Sequence, residues 1–279
     1  RRKDLLFVLL GVAALGLAFA TFITLFLDML LDGWSRLRPE FFTQFASRKA
    51  EQAGILAAWV GTLAVMVVTA LVAVPLGVAA GIYLEEYAAR NKLTAIIEIN
   101  INNLAGVPSI VYGLLALGMF VHTLGLGASI RTAGLTLALL ILPIVIVATR
   151  EAIRAIPGSI REAAYALGAT RWQLVRHHVL PYSLPGILTG VIIGLSRAIG
   201  ETAPIITIGA VSYIAFLPPA PVQPAFPWLS FEWLASPFTA MPIQIFGWTS
   251  RPEAAFQANA SAAALVLVAM TLVMNAIAI

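Results

Sequence analysis

Apolar runs long enough to cross a bilayer alternate with short polar stretches along the whole chain. They cover residues 5–28, 55–84, 106–124, 132–150, 184–209 and 257–279. At about 1.5 Å of rise per residue, a helix of about 20 residues matches a hydrocarbon core of roughly 30 Å. Lipid offers backbone groups no water to bond, so each span must be a helix or a strand of a closed barrel. The short alternating segments of a barrel are absent. The pattern predicts an all-α integral membrane protein with six transmembrane helices. The first run follows Arg1, Arg2 and Lys3 and contains Ala18-Phe19-Ala20, which mimics a signal-peptide cleavage site. Its uncharged stretch, residues 5–27, is longer than a signal peptide's apolar region, so it reads as a retained anchor helix. The chain opens at Arg1 and closes at Ile279 inside an apolar run, as expected of a segment of a longer polypeptide.

The connecting stretches carry their own patterns. Residues 91–103 interleave Leu93, Ile96, Ile97 and Ile101 with Glu98, Asn100, Asn102 and Asn103, which predicts an amphipathic helix on the inner membrane face. Gly106-Val107-Pro108-Ser109 then turns the chain into the bilayer. Residues 217–250 form a long irregular stretch with Pro218, Pro219, Pro221, Pro224, Pro227, Pro237 and Pro242. Its Trp228, Trp233 and Trp248 suit the membrane interface or an external partner. Gly77 and Gly81, with Pro75, suit close helix packing or a kink. The chain divides into an anchor helix with an outer loop, residues 1–54, and a transmembrane body, residues 55–279.

Composition agrees with lipid as the solvent: 60% of residues are hydrophobic and 11% charged, against roughly 25% charged in soluble domains. The net charge of +4 reads as membrane topology, with no call for nucleic acid. With the N-terminus inside, ten of the 17 Lys and Arg residues fall in inner segments, including Arg90, Lys92, Arg150, Arg154, Arg161, Arg171 and Arg176. Arg36, Arg38, Arg48, Lys49, Arg131 and Arg251 fall outside, a bias that places both termini in the cytoplasm. The absence of cysteine excludes disulfide and thiolate chemistry, and His122, His177 and His178 lack zinc-site spacing.

The inner loop at 150–183 is too patterned for a plain connector. Ser159, three residues before Glu162, has capping-box spacing, and Gly168 is placed to end a short helix over 161–167. A second short helix over 172–179 should stop at Pro181. Two short helices presenting Ala163 and Ala164 at a turn offer a surface for a partner's cleft. The spacing of Glu162-Ala163-Ala164, Gly168 and Leu180-Pro181 resembles the EAA loop of bacterial ABC importer permeases, with His178 where that family has Ile. The resemblance implies that Glu162, Ala163, Ala164, Gly168, Leu180 and Pro181 couple the membrane domain, over residues 154–181, to a separate ATPase. A P-loop needs Gly-Lys followed by Ser or Thr. Lys3, Lys49 and Lys92 are the only lysines and none follows glycine, so these residues form no ATP site.

The fifth run contains Ser196, Arg197, Glu201 and Thr202. A charge at mid-bilayer costs roughly 2.5 to 3.5 kcal/mol on insertion scales, so such residues mark function. Arg197 and Glu201, four apart, share a helix face and can pair. The pair either stabilises the helix or places an arginine fork, suited to oxyanions, on a transport path with Glu201 as its restraint. Ser196 and Thr202 add hydroxyls to that path or bond their own backbone. Ser-Arg-Ala-Ile-Gly-Glu-Thr-Ala-Pro over 196–204, with Asn-Asn-Leu-Ala-Gly-Val-Pro-Ser-Ile-Val-Tyr-Gly over 102–113, resembles the phosphate-specific permeases of the PstA type. That family implies import of inorganic phosphate across the bacterial inner membrane. It also implies a hetero-dimer with a related permease, an ATPase dimer using ATP and Mg²⁺, and an external phosphate-binding protein. A permease for sulfate or molybdate, a secondary anion transporter and a signalling scaffold remain the alternative readings.

Overall fold

The computed structural model describes every residue except Arg1, Arg90, Pro224, Ala225, Pro227 and Ile279; the topology and loop expectations at Arg1, Arg90, Pro224 and Pro227 lie outside the described residues. Helix α1 (Arg2–Gly33) is followed by a tight turn and the short α2 (Pro39–Thr43). Helix α3 (Leu56–Ile82) runs on through a wide π turn at Tyr83–Tyr87. Helix α4 (Lys92–Leu104) starts at the cap of Asn91, whose side chain accepts a hydrogen bond from the Thr94 amide. It is the expected amphipathic element. Helix α5 (Ser109–Ala116), extended by a π turn to Thr123, leaves α4 at a bend of 106°.

Helix α6 (Ile130–Arg154) precedes the hairpin of α7 (Gly158–Ala166) and α8 (Arg171–Leu174). A π turn at Val175–Val179 joins α8 to α9 (Leu180–Gly200), and the short α10 (Ala203–Thr207) follows. Helices α11 (Met241–Thr249) and α12 (Ala254–Ala278) complete the chain. Five helical runs are long and apolar enough to cross a membrane singly; the sixth expected span is half of the bent α4–α5 pair.

Helix α6 is the axis of the body. Of its apolar window 67% is buried, between α3 on one side and α9 on the other. Val65, Leu137, Ile141, Val145, Val191 and Leu195 form part of the shared core. Small residues let these backbones approach. A Cβ added at Gly77 would lie 2.7 Å from the Val145 side chain, and one at Gly81 2.6 Å from Thr149. Without a hydrophobic force between helices in lipid, such close packing holds the bundle together, as the sequence pattern suggested. The Thr69 hydroxyl also bonds Gly134 O across the α3–α6 seam, at 3.2 Å.

Two expectations change over residues 217–250. The stretch over 217–250 is irregular only in its first part, because Met241, Gln244 and Trp248 bury one face of α11 at helical spacing. Trp248 is 1% exposed and packs with Phe41 and Phe256, at ring separations of 6.0 and 6.5 Å, so it is a core residue and no interface anchor. Trp228 is exposed, beside a bridge between Val222 and Leu229. Helix α1 packs along α12 but buries none of its apolar window within the chain.

Candidate functional site

The α7–α8 hairpin is built on a small core of its own. Ile153 and Ile156 from the end of α6, Ala164 from α7, and Leu174 and Val179 beyond it are all buried together. Gly168 ends the turn with φ +81°, a left-handed conformation that costs a residue with a Cβ roughly 1–2 kcal/mol. This confirms its place as the helix-ending glycine. Capping falls elsewhere than expected. Helix α7 begins at Gly158, after Pro157, and Ser159 lies inside its first turn without a capping bond, because the extended Pro157 already sets the entry angle. The reciprocal box forms one helix later. Thr170 Oγ1 accepts from the Gln173 amide at 3.3 Å, and Gln173 Oε1 accepts from the Thr170 amide at 2.8 Å. The Thr-x-x-Gln spacing was readable from the sequence by the same rule.

Nor does the second short helix stop at Pro181. One helical run continues from Arg171 to Gly200. The missing N–H of Pro181 would bond the carbonyl of residue 177, and the π turn at Val175–Val179 already shifts the bonding register there, so the proline is accommodated. His178, at the position where the resembled family has Ile, points to solvent.

The hairpin's outward face differs from the small-residue face expected of it. Glu162, Ala163 and Gly168 are exposed, but Ala164 is 6% exposed and belongs to the hairpin core. Exposed instead are Tyr165, Leu167 at 89% and Trp172 at 62%. Large apolar side chains left open on a polar hairpin are a feature that contact surfaces share. The sequence reading did not single out Leu167, although an apolar residue directly before a C-capping glycine is a usable signal. Leu180 is half-buried against the main core, and Pro181 is exposed in the first turn of α9.

The second site lies where α9 ends. Arg197 occupies the last turn of α9, while Glu201 lies just past Gly200 with extended backbone, φ −75° and ψ 124°. The expected single helix over 184–209 is therefore broken at Glu201, and the pair closes across the break with Nε to Oε1 at 3.4 Å. The Arg197 side chain is 39% exposed and that of Glu201 19%. Helix α10 then packs on α5, with Gly113 against Pro204 and Thr207. Thr202 stands half-buried at the start of α10. Ser196 is directed away from the pair, because its hydroxyl bonds Asn275 Oδ1 of α12 at 2.8 Å and ties the two helices together. An exposed arginine held loosely by one carboxylate at a helix break can exchange that partner for an anion at little structural cost.

Among proteins of known family, the model for "Binding-protein-dependent transport system inner membrane component" matches residues 73–279. The phosphate transport system permease protein PstA of Mycobacterium leprae is 33% identical over 245 residues, covering 88% of this chain and 74% of its own length. The probable ABC transporter permease protein YqgI of Bacillus subtilis is 36% identical over 184 residues, 66% of this chain and 63% of its own. The PstA 1 permease of Mycobacterium tuberculosis is 37% identical over 184 residues, 65% of this chain and 58% of its own. The matched region thus spans about three fifths of the length of the last two relatives. An inward-facing structure of the MetNI methionine ABC transporter superposes with a TM-score of 0.60 at 19% identity, covering 78% of this chain and 89% of that one, which shows a shared fold. With the family model and a relative above 30% identity both covering most of the residues, this multi-pass membrane chain belongs to the family of binding-protein-dependent transport system inner membrane components.

Proposed function

We propose that this chain is the permease subunit of an ATP-driven importer that carries inorganic phosphate into the bacterial cytoplasm. The observation that carries the reading is the pair of sites on one body: a cytoplasmic hairpin with Leu167 and Trp172 unburied, and an arginine–glutamate pair at a helix break. The hairpin supports docking of a separate ATPase dimer that uses ATP and Mg²⁺, through Glu162, Ala163, Gly168 and the exposed apolar side chains beside them. Leu180 and Pro181 join that coupling segment as the first turn of α9. The Arg197–Glu201 pair, with Thr202 beside it, supports passage of an oxyanion. Phosphate is favoured because the relatives from M. leprae and M. tuberculosis are phosphate transport permeases by name.

The reading includes both termini in the cytoplasm, a hetero-dimer with a second permease, and an external phosphate-binding protein that delivers the ion. Residues 1–54 act as an anchor and outer loop beside the permease body of residues 55–279. The test is purification with associated subunits, reconstitution with the binding protein, and measurement of ATP hydrolysis under different oxyanions. Phosphate is expected to stimulate hydrolysis, and sulfate and molybdate to leave it at the basal rate. Equal stimulation by sulfate or molybdate would remove the phosphate assignment.

A further inference from the structure

The cytoplasmic ends of α3, α4, α6 and α7 are joined by charged side chains that neither proposed site employs. Glu85 and Glu86 sit side by side in the π turn that ends α3. Consecutive helical residues point about 100° apart, so the two carboxylates serve different neighbours. Glu86, only 6% exposed, meets Arg161 of α7, whose Nε and Nη2 lie 3.1 and 2.9 Å from the same carboxylate oxygen. The same guanidinium donates to the carbonyls of Ile153 and Ile156, each at 3.0 Å, and thereby closes the end of α6. Ile153 is in the last turn of α6 and Ile156 two residues past its end, where the negative end of the helix dipole suits a cation.

Glu85 turns to α6, where Arg154 Nε lies 3.0 Å and Arg150 Nε 3.4 Å away. Arg150 is 5% exposed, and its Nη2 lies 2.7 Å from Glu98 Oε1 on the amphipathic α4, a contact between opposite charges that is not aligned as a hydrogen bond. The chain of contacts runs from α7, next to Glu162, through the end of α3 to α6 and on to α4. Helix α4 continues through the 106° bend into α5, which packs against α10 directly after Glu201. Two groups of ion pairs, joined through the adjoining backbone of Glu85 and Glu86, thus connect the hairpin to the element that packs beside the second site.

We propose that Glu85, Glu86 and Glu98, with Arg150 and Arg161, form a clasp of positioning residues that makes α7 and the α4–α5 bend move as one body, so that hydrolysis on the hairpin side drives opening at the Arg197–Glu201 break. The clasp rests on the proposed docking role of the hairpin. Its geometry favours transmission over simple stability. A buried arginine linking three helices resists separation, because parting it from one carboxylate strands charge away from water. Side-chain networks of this kind link distant sites when they have two arrangements, and only a measured coupling establishes that.

The experiment uses the assembled transporter with its ATPase, reconstituted in vesicles, and reads phosphate taken up per ATP hydrolysed. Glu98→Gln and Glu86→Gln are compared with Glu151→Gln, whose side chain is 64% exposed and, among the described residues, pairs with Arg154 along α6. Both clasp variants are expected to insert and to retain the ATPase, while uptake per ATP falls at least threefold; Glu151→Gln keeps the unaltered ratio. The ratio is unmoved by a change in the amount of folded protein. An unchanged ratio in both clasp variants, or failure of both to insert, overturns the clasp as a transmission element. Gly168→Trp is run in parallel and is expected to release the ATPase. If the ATPase stays bound at full level, the docking reading fails and the clasp's role falls with it. If it is released while the clasp variants keep their ratio, only the clasp is wrong.

Discussion

The two candidate sites are built in opposite ways. At the hairpin, Arg161 holds a nearly buried carboxylate and two helix-end carbonyls, and a small apolar core lies beneath. At the end of α9, Arg197 holds one carboxylate through a single 3.4 Å contact and stays 39% exposed. The first arrangement resists deformation and suits an element that takes up force. The second stores little energy and suits an element that must let go of its partner. Breaking a desolvated pair by removing one partner costs about 3–5 kcal/mol.

Three substitutions sharpen that contrast. The largest effect is expected for Arg161→Ala, which leaves Glu86 enclosed without its partner and removes the donor to the Ile153 and Ile156 carbonyls. Thermal unfolding of the detergent-purified permease should show a loss of about 3 kcal/mol, the low end for a buried pair because Arg161 is partly exposed. A loss below about 1 kcal/mol would show that the pair is solvated and the hairpin loosely attached. Ala164→Leu comes next. The side chain faces Ile153 and Leu174, so the extra carbons overpack the hairpin core by about 2 kcal/mol; limited proteolysis of the hairpin should accelerate. A neutral result would place Ala164 on the open face after all. The smallest loss of stability belongs to Arg197→Ala, since it removes a single 3.4 Å contact and takes a charge out of a membrane-spanning helix, together with loss of phosphate uptake of at least tenfold. Unfolding of this variant, or uptake at the unaltered rate, would make the pair structural.

Much of the fold was legible because lipid enforces simple rules. Runs such as 55–84 and 132–150 announced α3 and α6, and alternation over 91–103 announced α4. Gly168 announced its own left-handed turn. The errors share one origin, that local signals were read without the neighbour that competes with them. Pro181 looked like a stop, but a π turn absorbed it. Ser159 had capping spacing, but Pro157 had already begun the helix. For Ser196, in the same motif as Arg197, no local signal showed the bond to Asn275, 79 residues away. The acidic pair Glu85-Glu86 gave one usable hint, since it sits at the inner end of a span where bases are the rule.

What the sequence determined by itself is the solvent, the spans and the chemical vocabulary: apolar length dictates helices in lipid, and spaced motifs identify a hairpin and an arginine–glutamate pair. The tertiary structure decided which charges meet. Arg150, Arg154 and Arg161 look alike in sequence, as inner basic residues. Only packing of α3 against α6 brings Glu85 and Glu86 within 3.4 Å of them and separates a clasp from a solvated surface. Coulomb interaction depends on distance and on exclusion of water, and neither is a property of the residues taken in order.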